Sequence, residues 1–199
     1  MKTILPAALL ALAALPAAAQ DGYGGGYGGY GNWSGPYVSG SIGFGRTATS
    51  SDATGPTISV SDTATAYSFA VGHQVQSGSL VYGGELALFD VTSDLGSVGN
   101  QFGVDYGLRL SGKLGYDMGQ SLVYGTVGLA RADFDGNTIN TDGNALALGA
   151  GIDLRVTDRI NLGAEYVYYR FGEVDGAGGA GRDADVSVNT LGVKLSYGF

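Results

Sequence analysis

The chain alternates between apolar residues and small or polar residues from Trp33 to its last residue, Phe199. The alternation is clearest between 102 and 116, where nearly every second residue is Phe, Val, Tyr or Leu. A period of two is typical of a β-strand that presents different chemistry on its two faces. We count eight such stretches, which begin near Tyr37, Tyr67, Leu80, Phe102, Leu122, Leu146, Ile160 and Thr190.

The connections between these stretches alternate in length. Short connections lie at 76–79, 117–120 and 157–159. Longer ones, rich in Gly, Asp, Ser and Thr, lie at 46–63, 90–101, 133–143 and 172–184. Eight strands of about ten residues with this alternation are typical of a membrane-spanning barrel. We therefore predict an all-β fold, an eight-stranded antiparallel transmembrane β-barrel whose long loops face the exterior.

The two faces of the strands decide which side of the barrel is apolar. A soluble barrel would turn its apolar face inward, whereas a membrane barrel turns that face to the lipid. Here one face carries Gly, Ser, Ala and charges, which suit a crowded lumen. The other carries large aliphatics with aromatics near the strand ends, as in interfacial girdles. We place in these girdles Tyr67, Tyr82, Tyr106, Tyr116, Tyr124, Tyr166, Tyr168, Tyr197 and Phe199.

The local pattern around Tyr124 does not by itself decide which face of the strand this residue occupies. Val123, Val127 and Leu129 share the face opposite Tyr124, so the local pattern is ambiguous. We place Tyr124 outward by analogy with Tyr82, which stands in a similar short motif.

The N-terminal residues predict export. Lys2 precedes an apolar run from Ile4 to Leu15, and Ala17-Ala18-Ala19 fits a cleavage site. Residues 1–19 are therefore predicted to be a cleaved signal peptide. Residues 20–32 contain a Gly/Tyr-rich tract, which we interpret as a flexible linker. Residues 33–199 form the predicted barrel.

Charge and cysteine content exclude several classes. The 199-residue chain has a formal net charge of −8, which argues against nucleic-acid binding. It has no cysteine, so no disulfide holds the exported domain together. Only 14% of its residues are charged, and no apolar run reaches the roughly 20 residues of a transmembrane helix.

Eight charged residues lie on the predicted inner face. A narrow lumen favours a salt-bridge network that fills it, and a charged constriction in a small pore is the alternative. Glu85 with Lys113, and Glu165 with Lys194, lie on neighbouring strands at similar depth. The inner set is balanced and comprises Glu85, Asp105, Asp153 and Glu165 with Arg109, Lys113, Arg155 and Lys194.

Acidic residues decorate all four long connections and give the barrel an acidic rim. The segment from Asp133 to Asn137 begins like a calcium loop, but it lacks the remaining spacing and the final Glu. The single histidine, His73, lies beside a short turn with no nucleophile in reach. We therefore predict no metal, no cofactor and no enzymatic activity.

Five motifs of the chain belong together: NWSGPYV (32–38), VYGGE (81–85), LVYGT (122–126), LGAEYVYYRFG (162–172) and the terminal YGF (197–199). Together they resemble the small outer-membrane β-barrel family, which includes porin-like and outer-membrane immunogenic proteins and is related to the barrel of outer-membrane protein A. His73 departs from the family pattern, which has an aromatic residue there. The resemblance implies a location in the Gram-negative outer membrane. It also implies that Leu195, Tyr197 and Phe199 form a signal that the outer-membrane assembly machinery recognises.

The leading hypothesis is a structural outer-membrane barrel with acidic surface loops, surrounded by outer-membrane lipid. A small diffusion channel and a surface binding or adhesion module are the alternatives. The sequence does not indicate an oligomeric state, a solute or a loop ligand.

Overall fold

The computed structural model describes residues 32–50, 60–92, 103–136, 139–174 and 184–199. The predicted signal peptide and nearly all of the predicted linker lie outside these ranges. Eight strands close into one antiparallel barrel in chain order, which confirms the predicted fold. No helix in the described ranges is long and apolar enough to cross a membrane. The strands are β1 (Gly35–Ser50), β2 (Val60–Ser77), β3 (Leu80–Thr92), β4 (Gly103–Asp117), β5 (Ser121–Gly136), β6 (Ile139–Arg155), β7 (Ile160–Val174) and β8 (Ala184–Gly198).

The strands are longer than predicted, at 13 to 18 residues. Ladder hydrogen bonds need no apolar face, so pairing continues beyond the apolar part of each strand. The prediction of a long connection over 133–143 is wrong for this reason. There β5 and β6 remain paired as far as Gly136 and Ile139, which leaves two residues between the strands.

The register of the barrel fixes which residues lie at equal height. A hydrogen-bonded row that starts at Arg46 passes once around the barrel and returns to β1 at Pro36, a shift of ten residues (46 minus 36). This shift is the shear of the barrel, and for eight strands it corresponds to a strand tilt of roughly 40°. From each strand to the next, the row moves by about 1.25 residues along the barrel. The row contains Arg46, Asn189, Tyr168, Leu148, Val127, Gly112, Gly84, His73 and Pro36.

Most of the large apolar side chains in the described strands point outward. Phe44 and Leu129 are each 70% exposed, and similar residues continue around the barrel surface. A continuous apolar exterior of this kind has no place in water, but it matches the hydrocarbon core of a membrane. The short connections lie at one end of the barrel. The first and last described residues, Asn32 and Phe199, lie at that same end.

Tyr124 corrects one prediction, because its side chain points into the lumen and is 4% exposed. Val123, Val127 and Leu129 occupy the outward positions of β5, so strand alternation places Tyr124 on the other face. Its neighbours across both ladders are Gly115 and Gly151, which leave room for the ring. Tyr82 lies outward as predicted.

Glycine opposite an inward aromatic recurs in the lumen. Tyr37 faces Gly72, Phe89 faces Gly107, and Tyr124 faces Gly151. A Cβ atom at the three glycines would lie 2.4, 2.3 and 2.5 Å from the facing aromatic ring. These glycines therefore provide the space that lets aromatic side chains fit inside a narrow barrel.

We expect Gly107→Ala to destabilise the barrel by about 1–3 kcal/mol, because the new methyl group would overlap the Phe89 ring. That ring cannot easily move, since it stacks on Tyr169 with centroids 4.8 Å apart. The measurement is urea unfolding in lipid vesicles, followed by the heat-modifiable gel mobility of the folded barrel.

Gly112→Ala on the same strand is the matched control. Its Cβ would meet nothing closer than 3.9 Å, so we expect a change below about 1 kcal/mol. Equal effects of the two substitutions would contradict the packing argument.

Candidate functional site

A layer of charged side chains crosses the middle of the lumen. It is defined here as the charge layer and contains three carboxylates and three cations. Their side chains are 3 to 10% exposed. Buried charges are stable only when paired, and here the two signs balance. The charge layer consists of Glu85 on β3, Arg109 and Lys113 on β4, Asp153 on β6, Glu165 on β7 and Lys194 on β8.

Arg109 links the two glutamates. Its Nη2 atom lies 2.8 Å from Glu85 Oε1 and 3.0 Å from Glu165 Oε1. Its Nη1 donates to the Tyr169 hydroxyl at 3.3 Å. The Tyr37 hydroxyl donates to the second oxygen of Glu85 at 2.8 Å. One guanidinium therefore connects three strands across the barrel.

The two lysines share Asp153. Lys113 Nζ lies 3.2 Å from Asp153 Oδ2, and Lys194 Nζ lies 3.0 Å from Asp153 Oδ1. Lys194 Nζ is also 3.5 Å from Glu165 Oε2. Since Arg109 reaches the other oxygen of Glu165, the six charged groups form one continuous chain of contacts.

Tyr124 lies at the centre of the lysine half of the layer. Its hydroxyl accepts a hydrogen bond from Lys194 and donates one to Glu165 at 2.8 Å. The centroid of its ring is 4.0 Å from Lys113 Nζ and 4.5 Å from Lys194 Nζ, within the range of cation–π contacts. The tyrosine assigned to the lipid girdle from sequence is thus a structural part of the lumen.

The structure changes one of the two expected neighbour pairs. Glu85 contacts Arg109 and not Lys113 as its salt-bridge partner. The register explains why sequence could not decide, because Glu85 lies opposite Ser111, midway between the two cations. Lys113 turns across the lumen to Asp153 instead. Glu165 and Lys194, the other expected pair, approach to 3.5 Å.

One predicted member of the network, Arg155, lies outside the charge layer. Arg155 is the last residue of β6, below the charge layer, and its guanidinium carbon lies 4.2 Å from the centre of the Trp33 ring. The side chain of Asp105 lies outside the described residues. The structure therefore brings together six of the eight predicted lumen charges.

An apolar cluster lies below the charge layer, at the short-turn end. Val81 and Leu122 are fully buried there beside Trp33 and Tyr124. The Trp33 indole donates to Asp117 Oδ1 at 3.0 Å, and its backbone amide donates to Gln76 Oε1 at 2.8 Å. The segment before β1 therefore covers this end of the lumen.

A second apolar cluster lies above the charge layer. Phe89 stacks on Tyr169, whose ring is 6.4 Å from that of Phe171. The cluster continues with Val91, Val167 and Val188. Sequence analysis missed both clusters, although Val81, Phe89 and Phe171 are large residues at inward positions of the alternation. Large apolar residues at these inward positions were the signal in the sequence that could have revealed the clusters.

A small cavity lies beside the charge layer. A cavity of about 30 Å³ lies next to Arg109, Glu165, Phe89 and Tyr169. Such a volume holds a water molecule or two, and no larger solute.

The predicted assembly residues Leu195, Tyr197 and Phe199 line the outer surface of β8 and are exposed. Tyr197 and Phe199 meet edge to face, with ring centroids 5.1 Å apart. Tyr197 accepts a hydrogen bond from Arg159 at 3.2 Å. The backbone amide of Phe199 donates to the Pro36 carbonyl at 3.1 Å, so β8 is paired with β1 to the end of the chain.

The described residues hold no cluster of three or more side chains able to bind a metal ion. His73 is exposed on the outer surface of β2, two residues from the outward Val75. The acidic side chains at 133 and 135 lie outside what the structure describes, so the calcium-like segment stays a sequence observation.

Comparison with known proteins agrees with this architecture. The model of the family described as "Outer membrane protein beta-barrel domain" matches residues 6–199. The 22 kDa outer membrane protein of Rhizobium leguminosarum bv. viciae is 33% identical over 137 residues, which are 63% of each chain. The match thus spans less than two thirds of that relative's length.

A solved structure shows the same fold, and a second one is similar in part. The crystal structure of Neisserial surface protein A (NspA) aligns with a TM-score of 0.57 and 18% identity, over 83% of this chain and 98% of that one. The outer membrane protein OprG from Pseudomonas aeruginosa aligns with a TM-score of 0.48 and 17% identity, over 85% and 98%.

We expect Lys194→Met to destabilise the barrel by about 3–5 kcal/mol, because it leaves Asp153 with one cation fewer and Glu165 without its lysine. Adding Asp153→Asn should recover part of the loss, giving a coupling of about 0.5–3 kcal/mol. The measurement is a double-mutant cycle by urea unfolding in lipid vesicles.

The matched control is a cycle between Lys194 and Glu85, which forms its salt bridge with Arg109. We expect weaker coupling there than between Lys194 and Asp153. Additive effects of Lys194→Met and Asp153→Asn would show that these side chains do not meet.

Proposed function

Because the chain belongs to the outer membrane protein β-barrel domain family, we propose that it is a non-enzymatic structural barrel of the outer membrane whose lumen is closed to solutes. In this proposal it presents acidic loops at the cell surface. The location in the Gram-negative outer membrane confirms what the resemblance of the sequence motifs implied.

The proposal of a closed lumen is supported by three layers of side chains inside the barrel, which are the charge layer and the two apolar clusters. Aromatic and aliphatic side chains fill the space above and below the charge layer. A permeating ion would need a continuous wet path, and the cavity beside Arg109 is too small to provide one. An eight-stranded barrel is only just wide enough for its own side chains.

The charge balance of the layer supports the same proposal. A selective pore lines its constriction with one sign of charge, which attracts the permeant ion. Here each carboxylate is held by a cation within 3.5 Å, so the fields of the two signs largely cancel. The side chains stiffen the barrel by connecting its strands across the lumen.

Neutrality of the charge layer leaves the net charge of −8 to the rest of the chain. Acidic residues of the long connections carry much of it, and bacterial barrels direct such connections outward. Most of these positions, such as Asp52 and Asp94, lie outside the described residues. The proposed surface is therefore acidic and hydrated.

We expect the refolded barrel to give no stepped currents in a planar lipid bilayer, because its lumen is filled. The triple variant Phe89→Ala, Arg109→Ala and Tyr169→Ala removes bulk and charge above and within the layer, and should conduct measurably. A triple truncation of the outward residues Leu108, Leu110 and Leu114 to Ala is the control and should stay silent. Stable currents from the unmodified chain would favour the small diffusion channel.

The C-terminal strand supports a proposed role in assembly. Its outward residues Leu195, Tyr197 and Phe199 present a continuous apolar row at the end of the chain. The Phe199 side chain is 69% exposed and adds little to the interior of the barrel. A side chain so placed is available to another protein before the barrel enters the membrane.

We expect deletion of Phe199 to leave refolding in detergent nearly unchanged but to reduce assembly in the outer membrane of cells severalfold. The measurement compares heat-modifiable gel mobility of the purified protein with the amount recovered in outer-membrane fractions. Phe199→Tyr keeps the aromatic ring and should assemble normally. Assembly of the deletion variant at the normal level would limit Phe199 to a role as a membrane anchor.

A further inference from the structure

Three arginines point outward from the barrel toward the end with the long connections. They are Arg46 on β1, Arg131 on β5 and Arg170 on β7, and all are exposed. Phe44 and Leu129 are the preceding outward residues on β1 and β5. On these strands the outward row therefore changes from apolar to cationic within one step of the alternation.

The three arginines lie at the same height. The hydrogen-bonded row through Arg46 meets β7 at Tyr168 and β5 at Val127. The row descends by about 1.25 residues per strand relative to the barrel axis. A residue at the height of Arg46 therefore lies about 2.5 residues above the row on β7 and about 5 residues above it on β5. These positions are within about one residue of Arg170 and Arg131.

Polar residues complete this level on the strands between the arginines. Asn144 on β6 lies opposite Arg131, and Ser187 on β8 lies opposite Arg170. The described residues at this level on the other side of the barrel include Asp90 on β3. The cations thus occupy one half of the circumference. We define Arg46, Arg131 and Arg170 as the arginine half-ring.

We propose that the arginine half-ring binds phosphate groups of a phosphorylated glycolipid in the outer leaflet of the membrane. The apolar side chains directly below the half-ring mark the depth of the acyl chains, so the guanidinium groups lie at the depth of the headgroups. The longer loops of a bacterial barrel face the outside, which places this edge in the outer leaflet.

The chemistry of the half-ring fits a phosphate better than a neutral headgroup. A guanidinium binds a phosphate through two parallel hydrogen bonds. Arg46 and Arg131 also make contacts within the chain. A guanidinium carries five N–H donors and can serve a partner in the chain and a lipid phosphate together. The acidic loops would otherwise repel an anionic membrane surface, and the half-ring provides local attraction beside them.

The test titrates the refolded full chain, in neutral detergent micelles, with lipid A that carries two phosphates, and counts bound lipid by native mass spectrometry. A parallel titration uses the same lipid A with its phosphates removed. We expect tighter binding of the phosphorylated form and weaker binding at high salt. Each change of a half-ring arginine to Gln should weaken that binding about fivefold.

Arg159→Gln is the matched control, since Arg159 is an exposed arginine at the opposite end of the barrel. It should bind phosphorylated lipid A like the unmodified chain. The triple variant Arg46→Lys, Arg131→Lys and Arg170→Lys should also bind it, to within about tenfold. Heat-modifiable mobility verifies that each variant is folded. A variant in which all three half-ring arginines are changed to Gln should bind most weakly. If that variant does not fold, the three single Gln variants provide the same comparison.

Equal binding of the two lipid A forms by the unmodified chain would overturn the proposal. Unchanged binding by the half-ring Gln variants would also overturn it. Inorganic phosphate is the third probe. If it competes with lipid A at similar concentration and with the same dependence on the arginines, the half-ring is a free phosphate site and the lipid assignment is wrong.

Discussion

The narrow bore of an eight-stranded barrel constrains every residue inside this protein. With a shear of ten residues, the lumen has room for side chains and little else. The rings of Tyr37, Phe89 and Tyr124 fit because the neighbouring strand has no side chain at Gly72, Gly107 and Gly151. Part of the high glycine content, 37 residues, therefore follows from the geometry of the lumen.

The same constraint explains why the charges are paired so completely. Between two apolar clusters the local dielectric constant is low, and an unpaired charge there would be strongly destabilising. Arg109 and Asp153 each contact two groups of opposite charge, so every charged member of the layer has at least one partner of opposite charge. Tyr37, Tyr124 and Tyr169 extend the network, so among the described residues it joins every strand except β2.

The strand number, the closure and the direction of the apolar face could be predicted because they depend on a period of two along the chain. The analogy with Tyr82 misplaced Tyr124, whose inward position follows from the alternation within β5. The room for its ring depends on glycines of two neighbouring strands, which the local motif does not show. Nor could sequence choose between Arg109 and Lys113 for Glu85, because the register puts them at equal distance. The lengths of the strands beyond the apolar band depend on backbone pairing, which leaves no hydrophobic signature.

Trp33 is the single tryptophan of the chain, and its contacts come from residues far apart in sequence. Gln76 precedes the first short turn, Asp117 precedes the second, and Arg155 precedes the third. The indole can reach this environment only after all three hairpins have come together. Its fluorescence is consequently a built-in signal for the final stage of barrel closure, and it would separate that stage in time from the earlier formation of individual hairpins.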